Sequence, residues 1–188
     1  MTNQELLQAF RETGALLEGH FLLRSGLHSG QYFQCALLLQ QMPLVEKIGA
    51  ALAAKFDAAG IDTVIAPAMG GLVIGQEVAR QLRKRFIFVE KEDNKLKLRR
   101  GFKVAKGERI LVVEDVITKG GRVQETLDIV RALGGQIVGI GVVVDRSGGE
   151  VNLGVPTQSL GQLHVEAFEP VNCPFCKQGL RLVKPGSA

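Results

Sequence analysis

The sequence predicts an α/β domain, a parallel sheet with helices on both faces, and three observations predict it. Four apolar runs, at residues 63–67, 86–90, 109–114 and 136–145, are continuous rather than alternating, as strands buried on both faces require. Amphipathic segments of helical period at 72–83 and 123–133 lie between them. A chain of 188 residues, 46% of them hydrophobic, can bury one such core.

The elements follow in chain order. Residues 3–13 read as a helix that Gly14 stops. "HFLLRSGLHSGQYFQC", residues 20–35, sets Gly and Ser between short apolar groups and reads as small antiparallel strands. Leu44, Ile48, Leu52 and Phe56 then recur every four residues; Pro43 suits the start of that helix and Gly60 its end. Strand and helix signals alternate beyond Gly60. The chain is expected to form a single domain over 1–188, with an N-terminal segment at 14–40, a core at 43–150 and a C-terminal extension at 151–188.

Composition excludes several classes. No apolar run is long enough for a bilayer-spanning helix, and "MTNQELLQAF" lacks the basic-then-apolar order of a secretory signal. Three cysteines cannot all pair within the chain, so a disulfide framework is not expected and the cytoplasm is. The net charge of +4 is mild, but Lys91, Lys95, Lys97, Arg99, Arg100, Lys103 and Lys106 crowd one stretch. Such a run is a solvated face, a nucleic-acid contact, or a mobile loop that closes over a small polyanion. Aromatics make up only 5% of the chain, with no Trp, so stacking platforms for single strands are poorly supplied.

Ligands of parallel sheets bind beyond the carboxyl ends of the strands. Pro67, Glu90, Glu114 and Asp145 stand there. Neither a Walker A loop nor a Gly-x-Gly-x-x-Gly fingerprint occurs. "AMGGLVIG" opens a helix and reads as a tight strand-to-helix turn. "ILVVEDVITKGG", residues 110–121, is more informative. Turn amides from Ile117 to Gly121, at the start of the next helix, can converge on one phosphate, and Thr118 adds a hydroxyl. Gly120 and Gly121 let the backbone approach without a Cβ. Glu114 and Asp115, just upstream, are poor phosphate ligands, but they suit vicinal sugar hydroxyls or a hydrated Mg²⁺. A phosphate a few residues from a diol describes ribose 5-phosphate.

"ILVVEDVITKGG" resembles the phosphoribosyl pyrophosphate (PRPP) signature of the type I phosphoribosyltransferases. Within that family the chain is similar to the orotate phosphoribosyltransferases through "GALLEGHFLLRSGLHSGQYFQC" and "VVVDRSGG", so the likeness runs over residues 14–149. It implies a Rossmann-like sheet with a small N-terminal hood, Mg²⁺ as cofactor, and transfer of ribose 5-phosphate from PRPP to orotate. Glu114 and Asp115 are implied to hold the ribose hydroxyls, and Val116, Ile117, Thr118, Lys119, Gly120, Gly121 and Arg122 the 5-phosphate. Arg146 is implied to meet the orotate carboxylate, with Thr118, Arg24, Tyr32 and Phe33 around the base. The family likeness also implies a homodimer in which a basic loop of one subunit reaches the partner's PRPP site. Lys91, at the start of the matching stretch, joins Glu114 and Asp115 as a catalytic candidate, with Mg²⁺ held mainly by PRPP and water.

Departures from the family pattern are local. Met69 and Gly70 stand where many members carry an aromatic residue and a lysine, so a pyrophosphate contact there falls to backbone amides. "KEDNKLKLRRG" lacks the family loop's histidine and glycines, which leaves Lys95, Lys97 and Arg99 as candidates for the loop's role. A transferase for another base, or a PRPP-sensing regulatory module, would share the signature. Arg146 and the hood favour orotate, and no helix-turn-helix signature lies outside the core. "CPFC", at 173–176, reads as ordinary thiols, since a lone C-x-x-C with no second pair nearby makes neither a zinc site nor a redox motif by itself.

Overall fold

The structure, a computed structural model, describes residues 1–23, 25–163 and 165–185. Helix α1 (Asn3–Glu12) starts at a reciprocal cap: the Thr2 amide donates to Glu5 Oε2 at 2.7 Å and the Glu5 amide to Thr2 Oγ1 at 3.2 Å. Gly14, at φ +65°, turns the chain into strands β1 (Leu16–Leu22) and β2 (His28–Phe33), an antiparallel hairpin as the sequence suggests. A short helix, α2 (Cys35–Leu39), follows, then α3 (Met42–Ala53) with Pro43 in its first turn. That helix stops at Ala53 and not at Gly60. Asp57 Oδ1 accepts from the Ala59 amide at 3.0 Å and begins a separate 3-10 turn, Ala58–Gly60. Phe56 leaves the helical path to lie against Gly139 and Gly141 of the sheet, where a Cβ would meet its ring at 3.0 and 3.2 Å.

The core alternates as expected: β3 (Thr63–Pro67), α4 (Gly71–Leu82), β4 (Arg85–Glu92), β5 (Lys95–Leu98), β6 (Arg109–Ile117), α5 (Gly121–Ala132) and β7 (Gln136–Asp145). An edge strand, β8 (Thr157–Gln162), and a short helix, α6 (Pro174–Lys177), complete it. The sheet order is β5-β4-β3-β6-β7-β8, parallel except for β5. Strand β8, "TQSLGQ", is too polar to announce itself. It is set by pairing with β7, and its Gly161 admits α1, since a Cβ there would meet Leu6 at 2.8 Å.

Two apolar clusters cover the two faces of the sheet. Leu6, Phe10, Ile48, Leu52, Ile74 and Val78 belong to the face that packs α1, α3 and α4. Val123, Leu127 and Val130 of α5 meet Ile65, Ile110, Val112 and Ile140 on the other. Each such buried side chain contributes about 1.5–3 kcal/mol, which holds the strand ends in a fixed array. Among the described residues no helix is long and apolar enough to cross a membrane.

The basic stretch corrects an expectation. Residues 91–98 are largely hairpin strand and not loop. Asp93 and Asn94, at φ +51° and +63°, form the two-residue turn, and Glu92 faces Lys95. Its cations are not left to repel one another. Lys97 meets Glu92 at 2.7 Å, Arg99 meets Glu92 at 3.1 Å, and Arg100 meets Glu90 at 2.7 Å.

Candidate active site

Strand β6 continues three residues past the point where the sequence pattern ends it, because Val116 and Ile117 still pair with Val144 and Asp145 of β7. Glu114 and Asp115 therefore belong to the strand, not to the loop after it. Glu114 is 2% exposed and Asp115 half-buried, and no ion pair reaches either among the described residues. Burial first, and the neighbouring Asp115 charge second, push the Glu114 carboxyl well above the usual carboxylate range. Between the ordinary and the raised value the folded chain keeps a proton that the unfolded chain releases. The stability Glu114 contributes thus falls as pH rises through that window.

Ile117 is buried against one face of the sheet and Val116 packs against the other. Thr118, Lys119, Gly120 and the first turn of α5 follow. Gly120 takes φ +75°, and a Cβ there would also strike Val151 at 2.9 Å. The first helical bond of α5 runs from the Gln124 amide to Gly120 O at 2.8 Å, which leaves the amides of Gly121 to Val123 pointing out of the helix N-terminus. Thr118 and Lys119 are exposed; Arg122 is half-buried and lies close enough for its charge to ease the rise at Glu114.

A second loop meets the carboxylates from the other side. The turn from β3 to α4, which contains a cis Ala68–Met69 peptide, sets Gly70 and Gly71 directly against the acid pair. A Cβ on Gly70 would lie 2.8 Å from both Asp115 oxygens, and one on Gly71 would lie 3.0 Å from Glu114 Oε1. "AMGG" is more than a tight turn: its glycines are required by this approach. The signal was present in the sequence as a glycine pair at a strand's carboxyl end. Only the fold shows what it touches.

Arg146, just past β7, completes the array. Its amide donates to Ile117 O at 2.9 Å, tying it to the end of β6. Its Nε is buried with no partner among the described residues, and its Cζ lies 5.9 Å from the centre of the Phe33 ring. Burial lowers this guanidinium from its ordinary value, although Tyr32 and Cys35 oppose the shift. Cys35 is pushed well up, first by burial and then by Asp115, which places the thiol near the acids as well. Phe33 is a core residue, edge-on to Phe10 at 5.1 Å; Tyr32 is half-buried. Arg24 lies outside the described residues.

Lys91 is exposed on β4, two residues beyond Val89, the partner of Pro67 across the sheet. It therefore stands at the same edge as the acids and makes no ion pair among the described residues. Lys97 and Arg99 are engaged with Glu92, while Lys95 is exposed at the hairpin turn.

These features gather at the carboxyl ends of the strands: two acids without an ion pair among the described residues, a glycine turn, a helix N-terminus and a buried guanidinium over an aromatic ring. The family model described as "Phosphoribosyl transferase domain" matches residues 37–154, which contain all of them except Phe33 and Tyr32. The chain belongs to the phosphoribosyl transferase family. Its similarity extends over the full length to the orotate phosphoribosyltransferase of Desulforamulus reducens, 52% identical over 187 residues, 100% of this chain and 98% of that protein. That of Pelotomaculum thermopropionicum is 53% identical over the same shares. Among solved structures, the orotate phosphoribosyltransferase from Aeropyrum pernix superposes with a TM-score of 0.72 at 27% identity, over 84% of this chain and 93% of that one. The β1–β2 hairpin and the residues after 154 lie outside the family model's span.

Proposed function

We infer that the protein is an orotate phosphoribosyltransferase, which joins ribose 5-phosphate from PRPP to N1 of orotate and releases pyrophosphate, on the route to UMP. Arg146 is the observation that carries the choice of base. A desolvated guanidinium with an unpartnered Nε, beside an aromatic face, suits a planar heterocycle that bears a carboxylate. Full-length relatives bearing that enzyme's name support the same reading.

In this reading Glu114 and Asp115 accept hydrogen bonds from the ribose hydroxyls. The Thr118 hydroxyl and the amides that open α5 hold the 5-phosphate. Gly70 and Gly71 let a pyrophosphate approach backbone amides beside the sugar. Orotate lies beside Tyr32 with its carboxylate on Arg146, which the buried Phe33 backs from the core, so N1 faces C1 of the ribose. The N1–C1 bond forms as the C1–O bond to pyrophosphate breaks, and the N1 proton is released. No covalent enzyme intermediate is needed, so catalysis rests on alignment and charge stabilisation. The acid pair, two carboxylates without a cationic partner among the described residues, fits a hydrated Mg²⁺ shared with PRPP. When bound, that ion would neutralise charge on the departing pyrophosphate.

Consumption of orotate, followed by absorbance with PRPP and Mg²⁺ beside uracil, adenine and hypoxanthine, tests this assignment. Orotate alone is expected to react; an inert orotate with another base consumed would overturn it.

We also propose a cytoplasmic homodimer with shared sites, in which Lys91 and the basic hairpin of one subunit serve the partner's PRPP. Three free thiols suit a reducing compartment, and Lys91, exposed and without an ion pair among the described residues, stands at the carboxyl end of β4. Mixing an inactive Asp115 variant with an inactive Lys91 variant should restore partial activity through subunit exchange. Confirmed exchange with no recovery would place Lys91 in its own subunit's site.

A further inference from the structure

Four side chains from opposite ends of the chain meet at the β1–β2 hairpin. His20 and His28 come from β1 and β2; Cys173 and Cys176 bracket the start of α6. His20 stands two residues before Leu22, the partner of His28, so the two rings share one face of the hairpin. A bulge between Glu18 and Phe21 re-aims β1 at that point. The i, i+3 spacing of the cysteines sets both thiols on one side of their turn. His20, His28 and Cys173 are buried, and one ligand atom from each of the four residues lies within 4.8 Å of the others.

We propose that His20, His28, Cys173 and Cys176 bind one zinc ion in a closed tetrahedral site that fastens the C-terminal tail to the N-terminal hairpin. Zn–N bonds of about 2.0–2.1 Å and Zn–S bonds of about 2.3 Å put tetrahedral ligand atoms roughly 3.3–3.8 Å apart. The separations here are 2.9 Å from His20 Nε2 to His28 Nδ1, and 3.5 and 3.6 Å from His20 Nε2 to the Cys173 and Cys176 sulfurs. The Cys176 sulfur lies 3.3 Å from His28 Nδ1.

The tautomer fits as well. His20 Nδ1 lies 2.8 Å from Leu180 O, which can only accept, so the proton sits on Nδ1 and Nε2 turns its lone pair to the cluster. Two thiolates and two neutral imidazoles leave no net charge on a bound Zn²⁺, and two sulfurs with two nitrogens in tetrahedral array favour zinc over harder cations.

The surroundings describe a fastening. Phe175, between the cysteines, packs on Gly30 so closely that a Cβ there would clash with its ring. The tail also exchanges backbone bonds with the hairpin: the His28 and Phe168 amides each donate to the other's carbonyl at 2.8 Å, and the Val183 amide donates to His20 O at 2.8 Å. Zinc would lock this junction, and with it the strand that carries Tyr32 and Phe33. "CPFC" lacks a second pair in sequence because its partners are histidines at the other end of the chain.

Elemental analysis of the full-length protein, purified under reducing conditions without added metal, tests the proposal independently of catalysis. One zinc per chain is expected, lost in Cys176→Ser and in His28→Asn, with a lower melting temperature in both. A folding defect in those variants would also abolish binding, so the native protein is also stripped with a chelator and titrated with Co²⁺. A thiolate-to-cobalt charge-transfer band with intense tetrahedral d–d bands, displaced by Zn²⁺, is expected at one equivalent. Absence of both zinc and that spectrum would overturn the site, as would a Cys173–Cys176 disulfide in the reduced preparation. Zinc retained at full stoichiometry by a folded Cys176→Ser protein would place the metal elsewhere.

Discussion

Asp115→Asn is expected to lower kcat/KM for PRPP by roughly 10- to 100-fold while leaving the fold intact. An amide matches a carboxylate in shape but offers one acceptor oxygen in place of two and no charge, and hydrogen bonds to a charged group contribute about 1.5–3 kcal/mol. The structure gives Asp115 little to lose in stability: its own bond is to the Val116 amide at 2.8 Å, and its charge disfavours ionised Glu114. Removing that charge brings the Glu114 carboxyl back toward its ordinary range. The folded state then gives up less stability as pH rises, so the melting temperature near neutrality should stay level or rise. Steady-state kinetics and a melting curve on one preparation check both halves. Unchanged kinetics would remove Asp115 from the sugar site, and a collapsed melting temperature would make it structural.

Arg146→Ala should raise the KM for orotate by about 30-fold or more and the KM for PRPP only a few-fold. Truncating one partner of a desolvated, hydrogen-bonded charge pair costs about 2–5 kcal/mol, much of it from leaving the other charge unpaired. Arg146→Lys should recover part of the loss, since an ammonium supplies charge without the two-pronged geometry. Equal losses for both substrates would mean that Arg146 holds the end of β6, through its bond to Ile117, and not the base.

Much of this was legible from the chain. The strands at 63–67 and 136–145 read correctly to the residue, because burial on both faces leaves an unbroken apolar run between polar ends. Glu114, Asp115 and the glycine loop stand out in the sequence because few residue types suit a sugar phosphate, whereas Arg146 is singled out only by the resemblance to the family. What stayed hidden depends on partners distant in sequence. Strand β6 extends through Ile117 only because β7 continues beside it, which turns Val116 and Ile117 from loop into core. The basic stretch reads as a loop by its charge, yet much of it is hairpin, with Glu90 and Glu92 pairing Lys97, Arg99 and Arg100. Gly70 looks like any turn glycine until Asp115 is placed 2.8 Å from its missing methyl.

The stack under Arg146 has a consequence for where base selectivity is set. The guanidinium lies over Phe33, Phe33 stands edge-on to Phe10, and Phe10 is fully buried on α1, a helix anchored by its own cap at Thr2 and Glu5. A side chain at the tenth position, in no motif, thus forms the foundation on which the arginine proposed to meet the base rests. Trimming Phe10 would let that foundation subside and blur the discrimination between bases long before the sugar site noticed. The amino terminus acts as ballast for a pocket assembled elsewhere in the chain.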